Sequence, residues 1–362
     1  MLDVALKVLE KIEEHGFKAY IVGGFVRDYI LGNTTNDVDI CTDATPMDIK
    51  LIFDNITLPR MDYGAVRVDI KKHRFDIMTF RKDIGYHNNR KPMEIEYIKD
   101  LKEDLIRRDF TMNTLCMDKN GNIVDLLNGK EDIENRVINT VGESISRFME
   151  DPLRILRAIR FYTTLNFDLS EEVRLAIMHT KGGLFRLSYQ RKKDELDKIF
   201  CHVNVKRGID IILELGLDKE LELDFRSCVY DTDLIGIWSS IEVIGNYPFS
   251  KNEKDLIDKI REVRNLNNLD PKVLYKYGLY VNIIAGSLNG TDRKLITNNY
   301  EKLPIKTRDE VNITSNQIMG LLNMEPSKKI KEIYDDLINN ILCGKVLNNY
   351  QDIVEYLLFT YK

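Results

Sequence analysis

The chain has 362 residues, 43% of them hydrophobic and 31% charged, and no apolar run reaches the ~18 residues of a spanning helix, which excludes a largely disordered chain and a helical membrane protein. Net charge is −5: residues 1–150 carry 22 Lys and Arg against 27 Asp and Glu, and the remainder carries 31 against 31, so any nucleic-acid contact must come from local basic patches. Cys41, Cys116, Cys201, Cys228 and Cys343 are widely spaced with no C-x-x-C pair, which argues against a disulfide framework or zinc ribbon and for a reduced, cytoplasmic chain.

Val4, Leu6, Val8, Leu9 and Ile12 recur at helical spacing, and the charges between them make this an amphipathic helix rather than a signal peptide. AYIVGG reads as a buried strand running into a glycine turn, and VRDYILG as a short helix closed by Gly32. DVDICT is a second strand; TPMDIKLIF starts a helix with Thr45 as cap and Pro46 at its first position. AVRVDI and KHRFDIMTF alternate with a period of two and are expected as strands. Residues 82–94 are polar, with Gly85 and Pro92, and are expected as a mobile loop, with EIEYI as one more strand. After about residue 130 the strand signals fade. IENRVINTV, DPLRILRAIRFYTTL, SEEVRLAIMHT, QRKKDELDKIFCHV and RGIDIILELGL all show the helical period, and helices and loops without strands are expected to Lys362. The expected fold is α+β: a head with a small mixed sheet at 1–135, then an all-helical neck at 136–200, body at 201–270 and tail at 271–362.

The chemistry-bearing residues begin with Gly23-Gly24 and Arg27-Asp28, and continue with Asp37-Val38-Asp39, 13 residues beyond Gly24. Carboxylates at i and i+2 of a strand project from one face and can share one divalent ion, or two close together. Mg²⁺ favours carboxylates combined with substrate phosphates, and two such ions clamp both ends of an in-line displacement. The glycine pair lets backbone N–H groups approach a triphosphate. Asp76, in the next alternating segment, is a candidate third carboxylate. His15, His73, His87, His179 and His202 form no ligand spacing, and Trp238 is expected in the core.

GGFVRDYILGNTTNDVDICT resembles the first motif of the class II tRNA nucleotidyltransferases and bacterial poly(A) polymerases, a family of the polymerase-β-like superfamily. Further matches follow in order. Arg107-Arg108-Asp109-Phe110-Thr111 is similar to the family's RRDFT, with Thr114 where alanine is frequent. Asp125, Gly129 and Asp132 resemble its flexible hinge. Glu150-Asp151-Pro152-Leu153-Arg154, followed by RAIRF, resembles its EDxxR. SYQRKKDEL resembles its last motif, with Gln190 in place of the usual glutamate.

The resemblance implies template-independent addition of CCA to the tRNA 3′ end from CTP and ATP, with Asp37, Asp39 and Asp76 catalytic and Mg²⁺ on Asp37 and Asp39. Addition of A alone or poly(A) synthesis is the nearest alternative, and a non-catalytic RNA-binding homologue the more distant one. No membrane or DNA partner is implied. Nucleotide contacts are implied for Gly23, Gly24, Arg27, Arg108, Asp109, Asn113, Asp151, Arg154, Arg157 and Arg160, and a loop with Asp83, Tyr86 and Arg90 for the switch from C to A. RRDFT would supply two guanidiniums for phosphate. Asp151 and Arg154 would be i,i+3 neighbours on a helix, one accepting and one donating. Cytosine and adenine each offer an amino donor beside a ring-nitrogen acceptor, whereas uracil and guanine offer the reverse. The pair can thus act as a protein template, with each unpaired buried group costing ~1–3 kcal/mol. The segment from Ile313 to Asn349 resembles the end of the family's shorter members, with Lys328, Lys329 and Lys331 as candidate phosphate contacts.

Overall fold

The computed structural model describes residues 1–35, 37–54, 56–60, 64–87, 91–230 and 232–362, with backbone alone at 58–60, 86–87 and 91–93. It resolves into two units, Met1–Leu221 and Glu222–Lys362.

The first unit opens with α1 (Leu2–Glu14), which buries Ala5, Val8, Leu9 and Ile12. Then come β1 (Ala19–Val22), α2 (Gly24–Ile30), β2 (Asp39–Thr42), α3 (Pro46–Ile52), β3 (Ile56–Arg60), β4 (Ala65–Ile70) and β5 (His73–Thr79). Helix α3 starts where expected: Thr45 and Asp48 cap each other's backbone N–H groups, and Pro46 needs no N–H partner. Two further strands follow β5, β6 (Arg81–His87) and β7 (Lys91–Tyr97), then α4 (Leu101–Ile106), β8 (Cys116–Met117) and β9 (Ile123–Val124). The main sheet has the order β3-β4-β5-β2-β1-β8-β9. β2 runs parallel to β5 and antiparallel to β1, so Asp39 lies between Val22 and Asp76.

The segment expected as a mobile loop is instead the antiparallel ribbon β6–β7, in register from Arg81↔Tyr97 to His87↔Lys91. It stands apart from the main sheet. A strand pair with no face in the core needs no apolar alternation, and an edge position tolerates Pro92. Arg90 lies outside the described residues, and Tyr86 is described by backbone only.

Six helical and strand elements carry the chain to the next motifs: α5 (Gly129–Asn135), β10 (Val137–Ile138), α6 (Ser144–Glu150), α7 (Leu153–Thr164), β11 (Asp168–Leu169) and α8 (Glu171–Thr180). α9 (Tyr189–Phe200) and α10 (Val205–Glu214) follow. The helix expected over IENRVINTV stops at Asn135, because Arg136 turns left-handed and the β-branched pair Val137–Ile138 joins β11 in parallel. The helix expected to carry both Asp151 and Arg154 is broken. Asp151 is extended, at φ −144 and ψ 102, between α6 and α7. The residue before a proline avoids the helical region, and Pro152 follows it.

Among the described residues the second unit is helical apart from one short pair, Leu223–Asp224 with Glu242–Val243, where no strand is expected from the sequence. Trp238 is buried, with Phe249 edge-on at 5.0 Å. The helices Pro271–Leu288, Ser315–Leu322, Lys328–Leu342 and Tyr350–Tyr361 pack around Leu274, Ile318, Leu337, Ile353 and Leu357. Lys328, Lys329 and Lys331 are exposed. Among the described residues no helix is long and apolar enough to cross a membrane.

Candidate active site

β1 ends in the glycine turn because Gly23 takes φ +81, which a side chain would resist. Its N–H donates to the Leu115 carbonyl at 3.2 Å, which fixes the turn against the segment entering β8. Asp37 and Asp39 flank Val38, which is buried, so the alternation turns both carboxylates away from the core. Asp37 is exposed just before β2, and Asp39 is the first residue of β2. Burial, and after it the Asp37 carboxylate, push the Asp39 carboxyl up to about 6; Asp76 adds to this and Arg108 opposes it. Two hard oxygen donors side by side, one of them with its charge disfavoured by burial and by its neighbour, are a fitting seat for a divalent cation. Asp76 stands beside Asp39 on β5, with both oxygens held by Arg67 at 2.7 and 3.0 Å. Among the described residues no cluster of three candidate ligands is assembled.

A chain of hydrogen bonds leads from the glycine turn to α7. The Arg27 guanidinium grips Asp28 at 2.9 and 3.0 Å and donates to Asn113 Oδ1 at 2.8 Å. Asn113 donates to Asp109 Oδ1 at 3.1 Å, and Arg157 Nε donates to Asp109 Oδ2 at 2.6 Å. Burial alone would push the Asp109 carboxyl up; Arg157, with the Asn113 amide and the Phe110 N–H, overrides it and holds it at about 2. Arg160 pairs with Glu195 on α9 at 2.6 Å. Arg27, Arg157 and Arg160 all lie over the ring of Phe161, at 5.0, 5.6 and 4.0 Å from its centroid. Phe161 was not singled out from sequence, although RAIRF holds it between the arginine spacing and the helix core.

The two arginines of RRDFT divide their work. Arg107 is spent internally, on Asp104 and on the Arg81 carbonyl at 3.1 Å, so the expected pair of phosphate ligands reduces to Arg108. Arg108 carries a buried Nε with no partner, and its Nη1 lies 3.7 Å from where a Cβ on Gly23 would stand. An unpaired buried donor beside the glycine turn suits a phosphate or ribose oxygen. The hinge residues close tightly. Asp125 accepts from the Gly129 and Lys130 N–H groups at 3.0 and 2.9 Å, and Asp132 accepts from Thr111 and Asn139. Thr114 is buried and donates to the Thr111 carbonyl at 2.7 Å.

Asp151 and Arg154 do not pair with each other. Asp151 accepts from the Leu153 N–H at 3.0 Å and from Arg191 of α9 at 2.8 Å. Arg154 donates to Glu150 at 2.7 Å, to the Arg147 carbonyl at 3.1 Å and to the Arg107 carbonyl at 3.2 Å. A carboxylate offers about four lone-pair sites and a guanidinium five N–H donors, so both retain capacity for a ligand. Arg191 holds Asp151 from 40 residues away, a separation that leaves no local signal of this pairing, although Arg191 lies in the SYQRKKDEL segment. At the root of the ribbon, Asp83 pairs with Arg81 at 3.0 Å.

The fold and this site define a nucleotidyltransferase: residues 19–139 match the poly A polymerase head domain family, and residues 241–357 match the putative tRNA nucleotidyltransferase domain 2 family. The chain is 33% identical to the CCA-adding enzyme of Ligilactobacillus salivarius, over 97% of this chain and 95% of that one. A CCA-adding enzyme of Bacillus stearothermophilus, solved in complex with CTP, superposes with a TM-score of 0.83 at 26% identity, covering 98% of this chain and 96% of the other. The Thermotoga maritima CCA-adding enzyme, solved with tRNA, shares the fold at a TM-score of 0.73 and 20% identity, with 99% and 95% covered. The chain belongs to the CCA-adding enzyme family. Nucleotidyltransferases of this family generally use divalent metal ions.

Proposed function

We propose that this chain adds C, C and A in turn to the 3′ end of tRNA, using CTP and ATP and releasing pyrophosphate. The observation that carries the reading is the carboxylate pair Asp37 and Asp39 beside the Gly23 turn, close enough for Asp37 to raise the Asp39 carboxyl, in a chain of this family. Mg²⁺ is the ion we assign to that pair; Asp37 and Asp39 would hold it, and it would supply Lewis acidity toward the 3′-hydroxyl and the phosphates. The Gly23–Gly24 backbone and Arg108 hold the triphosphate. Asp109, kept ionised by Arg157, accepts from the ribose hydroxyl. Asp151 accepts from the exocyclic amine of C or A while Arg154 donates to the ring nitrogen. No covalent intermediate is involved, and the protein works by positioning and electrostatics. The ribbon carrying Asp83, Tyr86 and Arg90 serves the change from C to A. We assign catalysis to 1–135, base recognition to 136–200, a supporting body to 201–270 and tRNA binding to 271–362, in a cytoplasmic protein.

The test offers tRNA transcripts ending at the discriminator base, at C and at CC to the enzyme with CTP or ATP alone, and sizes the products. The expected products are two, one and no added C, and a single A on the CC transcript only. A long A tract would make it a poly(A) polymerase, and A addition without C addition would make it an A-adding enzyme.

A further inference from the structure

Asp104, on α4, is a carboxylate outside every motif of the proposed reaction. Its side chain is 1% exposed, and donors reach it from two directions. Oδ1 accepts from the Arg81 backbone N–H at 3.1 Å and from Arg107 Nε and Nη2 at 3.0 and 2.7 Å. Oδ2 accepts from Arg108 Nη2 at 3.3 Å. Arg107 closes the circuit by also donating to the Arg81 carbonyl. Burial works against a charge at Asp104, and the two guanidiniums override it, so its carboxyl stays below the usual range. Each partner leads somewhere. Arg81 is the first residue of the ribbon. Arg108 stands beside the glycine turn. The Arg107 carbonyl receives Arg154, the proposed base reader.

We infer that Asp104 is a positioning residue that couples the root of the β6–β7 ribbon to the nucleotide site, and by that route sets the change from C to A addition. The inference rests on the ribbon reading above. A structural ion pair needs one partner, whereas here one carboxylate is shared by the ribbon's first N–H and by both arginines of RRDFT. A tilt of the ribbon root redistributes the lone pairs of Asp104 and moves Arg107 and Arg108 with it. With the carboxylate enclosed, no water is at hand to absorb the change, so the displacement passes through the network.

The experiment is a double-mutant cycle in the full chain between Asp104→Asn and deletion of residues 84–92. It is read as kcat/KM for CTP on the discriminator transcript and for ATP on the CC transcript. Asparagine keeps the shape but turns one acceptor into a donor facing a guanidinium. A addition is expected to fall about tenfold further than C addition, and this difference is expected to vanish in the deletion background. Asp100→Ala is the control. It removes the N-cap of α4, which accepts from Glu103 at 3.2 Å, and leaves the hub alone; it should lower the melting temperature and slow C and A addition alike. Should Asp104→Asn fail to fold, Arg107→Lys severs the link to the Arg81 carbonyl and should give the same split. The coupling is overturned if C and A addition fall alike, if Asp100→Ala reproduces the split, or if the split survives the deletion. Equal loss of C and A addition in the deletion alone overturns the ribbon reading instead.

Discussion

Replacing Asp151 by asparagine changes a carboxylate held at 2.8 Å by Arg191 and at 3.0 Å by the Leu153 N–H into an amide with one oxygen and one NH₂. Whichever of the two contacts the oxygen keeps, an NH₂ now stands where only acceptors stood. The amino groups of C and A meet a donor there, while O4 of uracil or O6 of guanine meets a partner. One mismatched buried polar group costs ~1–3 kcal/mol, so CTP and ATP use should fall roughly 5- to 150-fold. Part of the same term is recovered by UTP and GTP. Asparagine is a better probe than arginine, because a guanidinium at 151 would face Arg191 and disrupt the packing of α9 against the α6–α7 break. The assay is single-nucleotide incorporation on the discriminator and CC transcripts with each of the four triphosphates alone. The ratio of CTP plus ATP to UTP plus GTP is the readout, since a general loss of folding leaves it unchanged. A ratio unmoved within about twofold would mean that Asp151 does not read the base, and the template argument would fail with it.

Asp37→Asn or Asp39→Asn should lower incorporation by at least about a hundredfold and leave tRNA affinity in a gel-shift assay intact, because the carboxylate pair is the proposed metal seat; near-normal turnover in either variant would refute the assignment. Gly129→Ala should cost about 1–3 kcal/mol in thermal unfolding followed by circular dichroism, because its Cβ would sit 2.2 Å from the Thr111 carbonyl oxygen; an unchanged melting temperature would refute that closeness. Asp109 sets an acid limit. Its folded carboxyl is depressed to about 2, so the stability it lends is full above the unfolded value of ~3.9 and is lost as pH falls through about 2. Asp109→Asn should flatten the stability profile between about pH 4 and pH 2; an unaltered slope would count against the bonded carboxylate.

The elements that could be read from the sequence are those with a buried face. β5 buries Phe75, Ile77 and Thr79 at alternate positions, and that burial imposes the period of two. Among its described residues the ribbon buries no such face, and its polarity concealed it. The break at Asp151 did have a signal, because Pro152 disfavours a helical residue before it. Asp104 had one too, as an acid at i,i+3 and i,i+4 to Arg107 and Arg108 in a short helix. The pairings of Arg191 with Asp151 and of Glu195 with Arg160 had none, since they span 40 and 35 residues, although both residues lie in the SYQRKKDEL segment.

The same division explains the electrostatics of the site. Arg27, Arg157 and Arg160 share the face of one phenylalanine, and three like charges so close would repel. Each has its own carboxylate: Asp28, Asp109 and Glu195. The cluster is therefore neutral as a whole and ordered before any nucleotide arrives, so a triphosphate does not have to organise it. On the proposed reading, what remains to meet the triphosphate is the Arg108 Nε that lacks a partner, beside the glycine turn. In such a site the binding energy of the triphosphate is not spent on ordering the arginines and is left for aligning the 3′-hydroxyl with the phosphate.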